Sequence, residues 1–306
     1  MESKINDVYM RVTNQIIGAI EAGADAWRMP WHLADHSFPT NALSKKAYRG
    51  VNVLALWAAA QEHGYPTGHW GTYRQWEELG AQVRKDEKGS CVVFWKVSEK
   101  GESEDGERAL GTRFFARGYW VFNAGQVDGF TPPQAPGARP MAERIAEADA
   151  FFGALGGDIR HGGNRAYYRP DTDHIQMPMF EAFPGRTDYY ATLAHEATHW
   201  TGAEQRLKRD LRGRFGSDAY AAEELIAELG AAFLCAGLGL TNEPRPDHAA
   251  YISSWLRLLK SDKRAIFTAA SKAQQAADWM HNRQETPAGP PKEVRSATPI
   301  LPRAEY

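Results

Sequence analysis

The stretch Thr192-Leu-Ala-His-Glu-Ala-Thr-His-Trp200 contains His195-Glu196-x-x-His199, and the fold of the surrounding chain is read outward from it. On an α-helix, residues four apart share a face, so His195 and His199 can both offer an imidazole nitrogen to one metal ion. Glu196 follows directly, placed so that its carboxylate reaches a water on that metal and acts as general base. The flank Tyr189-Tyr190-Ala-Thr-Leu-Ala194 is apolar at helical spacing, and Thr201-Gly202 predicts the end of the helix.

Such a site needs a third protein ligand. Glu224 lies twenty-five residues beyond His199, within Tyr220-Ala-Ala-Glu-Glu-Leu-Ile-Ala-Glu-Leu-Gly-Ala-Ala-Phe-Leu-Cys-Ala236. That run is strongly helical, and its stripe Leu225, Leu229, Ala232, Phe233 and Ala236 is expected to face the core. Glu224 and Glu228 share the neighbouring face, so one can ligate while the other orients a ligand histidine from behind. Glu223 points about 100° away and is the weaker candidate. Zinc (Zn2+) suits two imidazoles and a carboxylate, and manganese (Mn2+) or cobalt (Co2+) could occupy the same set.

The 306-residue length suggests two domains of ordinary size, each large enough for its own core. A hydrophobic content of 43% and a charged content of 24% fit a soluble globular protein. The opening Met1-Glu-Ser-Lys-Ile-Asn-Asp7 is polar, and no apolar run approaches the length of a membrane span, so a cytoplasmic protein is expected. Cys91 and Cys235 fit no metal-binding pair and read as buried thiols. A net charge of −2 excludes a grossly basic nucleic-acid binder but leaves room for a basic patch.

In chain order, helices are expected over 7–22, 53–63, 72–79, 141–155, 249–259 and 263–280. The segments 90–97 and 113–123, β-branched and aromatic, read as paired strands around an acidic loop at 99–108. Residues 81–90 read as a strand entering a charged turn, and 167–177 as a hairpin around Pro170-Asp171. The strand just before the metal helix is expected at the edge of a cleft, where an extended peptide could pair with it. His161 and His174 read as structural or surface residues, and the basic connection 204–216 as a solvated loop that could also lie over the cleft or contact phosphate. The fold class is therefore α+β, with domains at 1–130 and 141–284, a Pro/Gly linker at 131–140 and a disordered Pro-rich tail at 285–306.

Seven of the ten tryptophans fall in the first half: Trp27, Trp31, Trp57, Trp70, Trp76, Trp95 and Trp120. Residues 1–130 hold 15 Lys/Arg against 16 Asp/Glu, but without the 99–108 loop the counts become 13 against 11. Aromatics such as Tyr48 and Trp70, interleaved with Lys45, Lys46, Arg49, Arg74, Arg84, Lys85 and Lys88, are what a single-stranded nucleic-acid site uses. Bases stack on rings while cations hold phosphates. The competing reading is that these rings simply fill a core.

Several segments together resemble the ArdC family of antirestriction proteins, which is similar to the N-terminal region of TraC-type plasmid primases. They are Tyr48-Arg-Gly-Val-Asn52, Val83-Arg-Lys-Asp-Glu-Lys-Gly89, Val121-Phe-Asn123 with Gln126, Ala191 to Gly202, Tyr220 to Leu234 and Asp247 to Leu256. The resemblance spans roughly residues 5–280. It implies an N-terminal domain that binds single-stranded DNA and a C-terminal zincin-like, gluzincin-type metallopeptidase domain. The role it implies, in conjugative plasmids, is protection of incoming DNA from host restriction. His195, Glu196 and His199 match the family's metal motif, and Glu224 matches by its place in Glu-x-x-Ala-Glu. Asp86 departs from the pattern, standing where glycine is expected.

Three kinds of function fit these residues. In one, the protein binds single-stranded DNA and its metal site cleaves or engages a host protein. Glu196 would take the proton from the attacking water and pass it to the leaving amine. Tyr189, Tyr190 and Tyr220 are candidate oxyanion donors among which the sequence does not choose. In another, the protein binds DNA without being an enzyme and the metal is structural. A third possibility is a metallopeptidase that acts on a host protein without binding DNA. Three ligands with an open position favour an enzyme-like site over a structural one.

Overall fold

The computed structural model describes residues 2–23, 29, 31, 38–98, 113–133, 140–211, 213, 217–240 and 248–284. The expected acidic loop at 99–108, most of the linker, Trp27 and the 285–306 tail lie outside the described residues.

The chain opens with α1 (Glu2–Gly23), β1 (Thr40–Asn41), α2 (Val51–His63), β2 (His69–Gly71) and α3 (Tyr73–Glu78). It continues through β3 (Gln82–Val83), β4 (Ser90–Ser98), β5 (Arg113–Asn123) and β6 (Val127–Asp128). A four-stranded sheet has the order β1-β2-β5-β4, with β1 parallel to β2 and the other pairs antiparallel. The long β4–β5 hairpin places Ser90 opposite Val121 and Ser98 opposite Arg113. Local chemistry sets the ends of these elements. Gly64 takes the left-handed conformation at φ 65° and closes α2, while Thr72 and Gln75 form a reciprocal capping box at the start of α3. Only Gln82 and Val83 of the expected strand after residue 81 pair, antiparallel to β6. The turn beyond them places Asp86 at φ 67°, a backbone setting that suits glycine and that aspartate tolerates.

The second half runs α4 (Met141–Ala154), β7 (Asp158–His161), β8 (Tyr167–Arg169), β9 (His174–Met177), α5 (Arg186–Thr201), α6 (Asp218–Leu238), α7 (His248–Ser261) and α8 (Ala265–His281). The hairpin expected at 167–177 is β8 and β9, paired antiparallel. The strand just before the metal helix is not an edge strand, however. β7, which the sequence reading missed, pairs parallel to β9 on its far side, so β9 is central and β8 forms the edge.

Helix α6 is not amphipathic in the way its stripe suggested. Nearly every residue from Ala221 to Cys235 is buried, because α5, α7 and α8 all pack against it. Its closest approach is to α5. A Cβ on Gly230 would lie 2.5 Å from the Thr198 side chain, so glycine there lets the two helices approach backbone to backbone.

The two halves share a continuous core. One apolar cluster runs from Val12 and Ile16 of α1 through Leu54 and Leu56 of α2 to Leu225, Phe233 and Ile266 in the second half. The Trp57 and Phe233 rings lie 6.1 Å apart across that junction, and Thr13 Oγ1 donates to the Lys263 carbonyl at 2.7 Å. A smaller cluster around Trp76, Val83 and Val127 sits under α3.

Candidate metal centre

Helix α5 presents His195 and His199 one turn apart, with ring centroids 4.8 Å apart, and α6 crosses it with its glutamates facing them. The ligand atoms of His195, His199 and Glu224 all lie within 4.8 Å of one another, the spread of a set that surrounds one ion. Glu224 Oε2 is 3.5 Å from His195 Nε2, and its Oε1 is 3.6 Å from His199 Nε2. Burial resists ionisation of Glu224, but the hydrogen bond from His195, the charges of both imidazoles and the Tyr220 hydroxyl outweigh it and hold the carboxyl at about 2.

Each histidine is backed by a different carboxylate. His195 Nδ1 lies 3.5 Å from Glu228 Oε2, and Glu228 also accepts from Trp31 Nε1 at 3.3 Å. His199 Nδ1 meets Glu223 Oε1 at 3.2 Å. Glu223, the weaker ligand candidate from sequence, lies outside the ligand set but backs His199. Burial alone would raise the Glu223 pKa, but His199 and Arg209 lower it overall. The Arg209 side chain is 4% exposed and reaches Glu223 through Nε and Nη2, Thr201 Oγ1 at 2.9 Å and the Thr198 carbonyl at 2.6 Å. The connection between α5 and α6 is thus not only a solvated loop: Arg209 locks it under the site, and Arg206 stacks 4.0 Å over Trp200 and pairs with Asp173. Nothing in the sequence marks Arg209 out from the four other arginines and lysines of that basic segment.

The donor set fits a metal: two Nε2 atoms and a carboxylate converge while both Nδ1 atoms are turned away towards carboxylates. A cleft of about 300 Å³ opens onto His195, Glu196, His199 and Glu224. Edge strand β8 forms one wall through Tyr167 and Tyr168, and Tyr220 and Tyr251 form another. Of the three tyrosines considered from sequence, Tyr189 is held by His161 Nε2 at 2.8 Å and Tyr190 donates to Asp149 at 2.5 Å. Only Tyr220 lines the cleft. Its hydroxyl lies 3.2 Å from that of Tyr251, and burial, Tyr251 and the Glu224 charge push its pKa well up, so it stays a proton donor. His174 is buried against Thr172 and, like His161, lies outside the ligand set.

The first-half candidates are placed differently. Trp70 is fully buried with its ring against Tyr65, and Tyr48 is buried with its hydroxyl accepting from Asn41, so neither offers a free ring face to a base. Trp31, Trp57 and Trp76 are buried as well, whereas Trp120 is 51% exposed beneath the Arg11 guanidinium. Arg84 is tied to Glu87 and Asp128. Lys45, Lys46, Arg49, Arg74, Lys85 and Lys88 are exposed. Lys46, Tyr48 and Arg49 gather around one cavity, which Arg74, Lys85 and Lys88 do not line.

Two family models match the chain: the N-terminal domain of anti-restriction factor ArdC over residues 6–122, and a zincin-like metallopeptidase over 146–272. Two crystal structures of the antirestriction protein ArdC from plasmid R388 are similar along nearly the whole length. The metal-free form is 48% identical with a TM-score of 0.77, covering 91% of this chain and 98% of that one. The Mn(II)-bound form is 47% identical with a TM-score of 0.74, covering 90% and 97%. This chain belongs to the ArdC family of antirestriction proteins. The uncharacterized protein y4eC of Sinorhizobium fredii is 59% identical over 287 residues, covering 91% of this chain and 92% of the relative. A DNA primase TraC from Escherichia coli is 38% identical over 291 residues, but this ArdC-family chain spans only 26% of the primase's length. The fold accordingly joins an ArdC N-terminal domain to a zincin-like domain, and among the described residues no helix is long and apolar enough to cross a membrane.

Proposed function

We propose that this protein binds single-stranded DNA and protects incoming plasmid DNA from host restriction in the cytoplasm, with a divalent-metal, peptidase-type site that acts on a host protein. The observation that carries the reading is the convergence of His195, His199 and Glu224 at the floor of a cleft that Glu196 also lines, in a chain 47% identical to an Mn(II)-bound ArdC. Zn2+ is the first candidate, with Mn2+ or Co2+ as alternatives for the same nitrogen and oxygen donors.

A divalent cation held by the two histidines and Glu224 supplies Lewis acidity to a carbonyl and acidity to a water. The chain's own residues do the rest. Glu228 and Glu223 hold the imidazoles in the tautomer that leaves Nε2 free to ligate. Glu196 accepts a proton from the attacking water and returns it to the leaving amine. Tyr220 donates to the oxygen on which negative charge develops. β8 offers an extended peptide its outer edge, unpaired among the described residues, along the cleft.

Glu196→Gln tests this reading. The substitution keeps the ligands, so metal binding stays near wild type. Protection of plasmid DNA during transfer into a restricting host falls to background if hydrolysis is the mechanism. Unchanged protection would instead favour a DNA-binding protein whose metal site is structural.

A further inference from the structure

A cavity of about 750 Å³, remote in sequence from the metal helices, opens between the two halves of the chain. Its walls come from the β1–α2 connection, α3, β4 and, from the other half, α8. We infer that this cavity receives one unstacked nucleotide of a single-stranded DNA chain, so that α8 completes a site begun by the N-terminal domain; the inference rests on the DNA-binding reading above.

The chemistry of the walls suits a nucleotide. Phe94 is 48% exposed and presents a ring on which a base can stack, braced edge-on by Tyr119 at 5.4 Å. Lys46 is exposed at the rim and makes no ion pair among the described residues, leaving its charge for a phosphate. Polar groups within reach of the cavity keep unused bonding capacity. The Gln75 carbonyl accepts from Asn41 and from the Thr72 backbone, both at 2.9 Å, and its amide protons have no acceptor among the described residues. The Tyr48 oxygen accepts from Asn41 at 3.3 Å, which leaves its proton to donate. Gln275 of α8 spends one N–H on Ser271 at 3.4 Å and keeps its carbonyl for a donor on a base edge. A ring face, a cation and an array of donors and an acceptor match a charged heterocyclic ligand better than an apolar side chain. The volume also falls within the range of about 300–1,000 Å³ in which small ligands bind.

The α8 wall is fixed rather than merely adjacent. Arg49 pairs with Asp278, Gln274 accepts from the Gly50 backbone at 3.1 Å, and Gln274 donates to Asp278 at 3.1 Å. Asp278 is therefore neutralised by Arg49 and does not repel a phosphate at the rim.

The test is fluorescence anisotropy of a labelled single-stranded 15-mer with the full-length protein and with Phe94→Ala, Gln275→Ala and Lys85→Ala, each checked for an unchanged melting temperature. Expected results are a loss of roughly tenfold for Phe94→Ala, a smaller loss of about threefold for Gln275→Ala, and less change for Lys85→Ala, which lies off the cavity. Wild-type affinity in both cavity variants, with the oligonucleotide still bound, would overturn the cavity as the site and leave the DNA-binding reading standing. No binding of the 15-mer by wild-type protein at low salt would overturn that reading as well. A competition arm uses free dTMP and dAMP: displacement of the 15-mer only at millimolar concentration is expected, and displacement at micromolar concentration would assign the cavity to a free nucleotide and overturn the DNA source.

Discussion

The metal face of α5 and α6 and the candidate cations of the first half use charge in opposite ways. At the metal face every charged side chain is buried and held: Glu228 is 2% exposed, and Glu223 carries both Arg209 and His199. In the first half most candidate cations are exposed, and those that are fixed, Arg49 and Arg84, are fixed by carboxylates of the protein itself. The difference teaches where each function draws its strength. A metal centre needs a few groups placed to a fraction of an ångström, which only a packed interior provides. A polyanion site gains from loosely held cations whose contributions add.

The comparison predicts that substitutions in the buried network at the metal face reach beyond a single contact, into the fold or the metal affinity, while those at the first-half cations act one by one. Arg209→Ala strikes hardest, because it leaves Glu223 buried without its cation; a loss of about 3–5 kcal/mol in urea denaturation is expected. If Arg209→Ala cost less than about 1 kcal/mol, the buried network would be no more integral than a surface pair. Gly230→Ala comes next, since a methyl group there meets Thr198 at 2.5 Å. Forcing α5 and α6 apart should cost about 1–3 kcal/mol. Divalent-metal affinity should weaken with it, which calorimetry would reveal. Glu228→Gln should leave the fold in place and weaken metal binding by about 10–100-fold, whereas Glu223→Gln should weaken it similarly and also cost stability, because it leaves the buried Arg209 without its carboxylate. Smallest is Lys46→Ala, which should lower single-strand affinity modestly and reduce the slope of log affinity against log salt by about one contact's worth. A Lys46→Ala variant with an unaltered salt slope would remove that residue from the phosphate path.

How much of this was legible in the sequence follows the same division. The His195 and His199 pair needs only the helical repeat, a property of one local stretch, and the strands β4 and β5 need only their β-branched and aromatic content. Glu223 shows where a local rule stops. A helical wheel separates it from Glu224 by about 100°, which would point it away from a partner helix at ordinary distance. The close approach at Gly230 and Thr198 lets α5 reach across a wider arc of α6, so three glutamates meet two histidines. Arg209 was out of reach for a similar reason, since its role depends on a loop folding back under α5. Tryptophan count misled most. Trp57 and Trp70 serve the core shared by both halves, and the exposed ring at the interhalf cavity is Phe94, a strand residue with no pattern to mark it. β7 was missed because its pairing is parallel and long-range, with no turn signal to announce it.

The most direct test of the central claim is calorimetric titration of the metal-stripped protein with Zn2+ and Mn2+, comparing wild type, Glu196→Gln and Glu224→Ala. The account predicts one metal per chain for wild type and for Glu196→Gln with similar affinity, and loss of at least about 100-fold for Glu224→Ala. Undiminished binding in Glu224→Ala, or loss of binding in Glu196→Gln, would contradict the assignment of Glu224 as ligand and Glu196 as base.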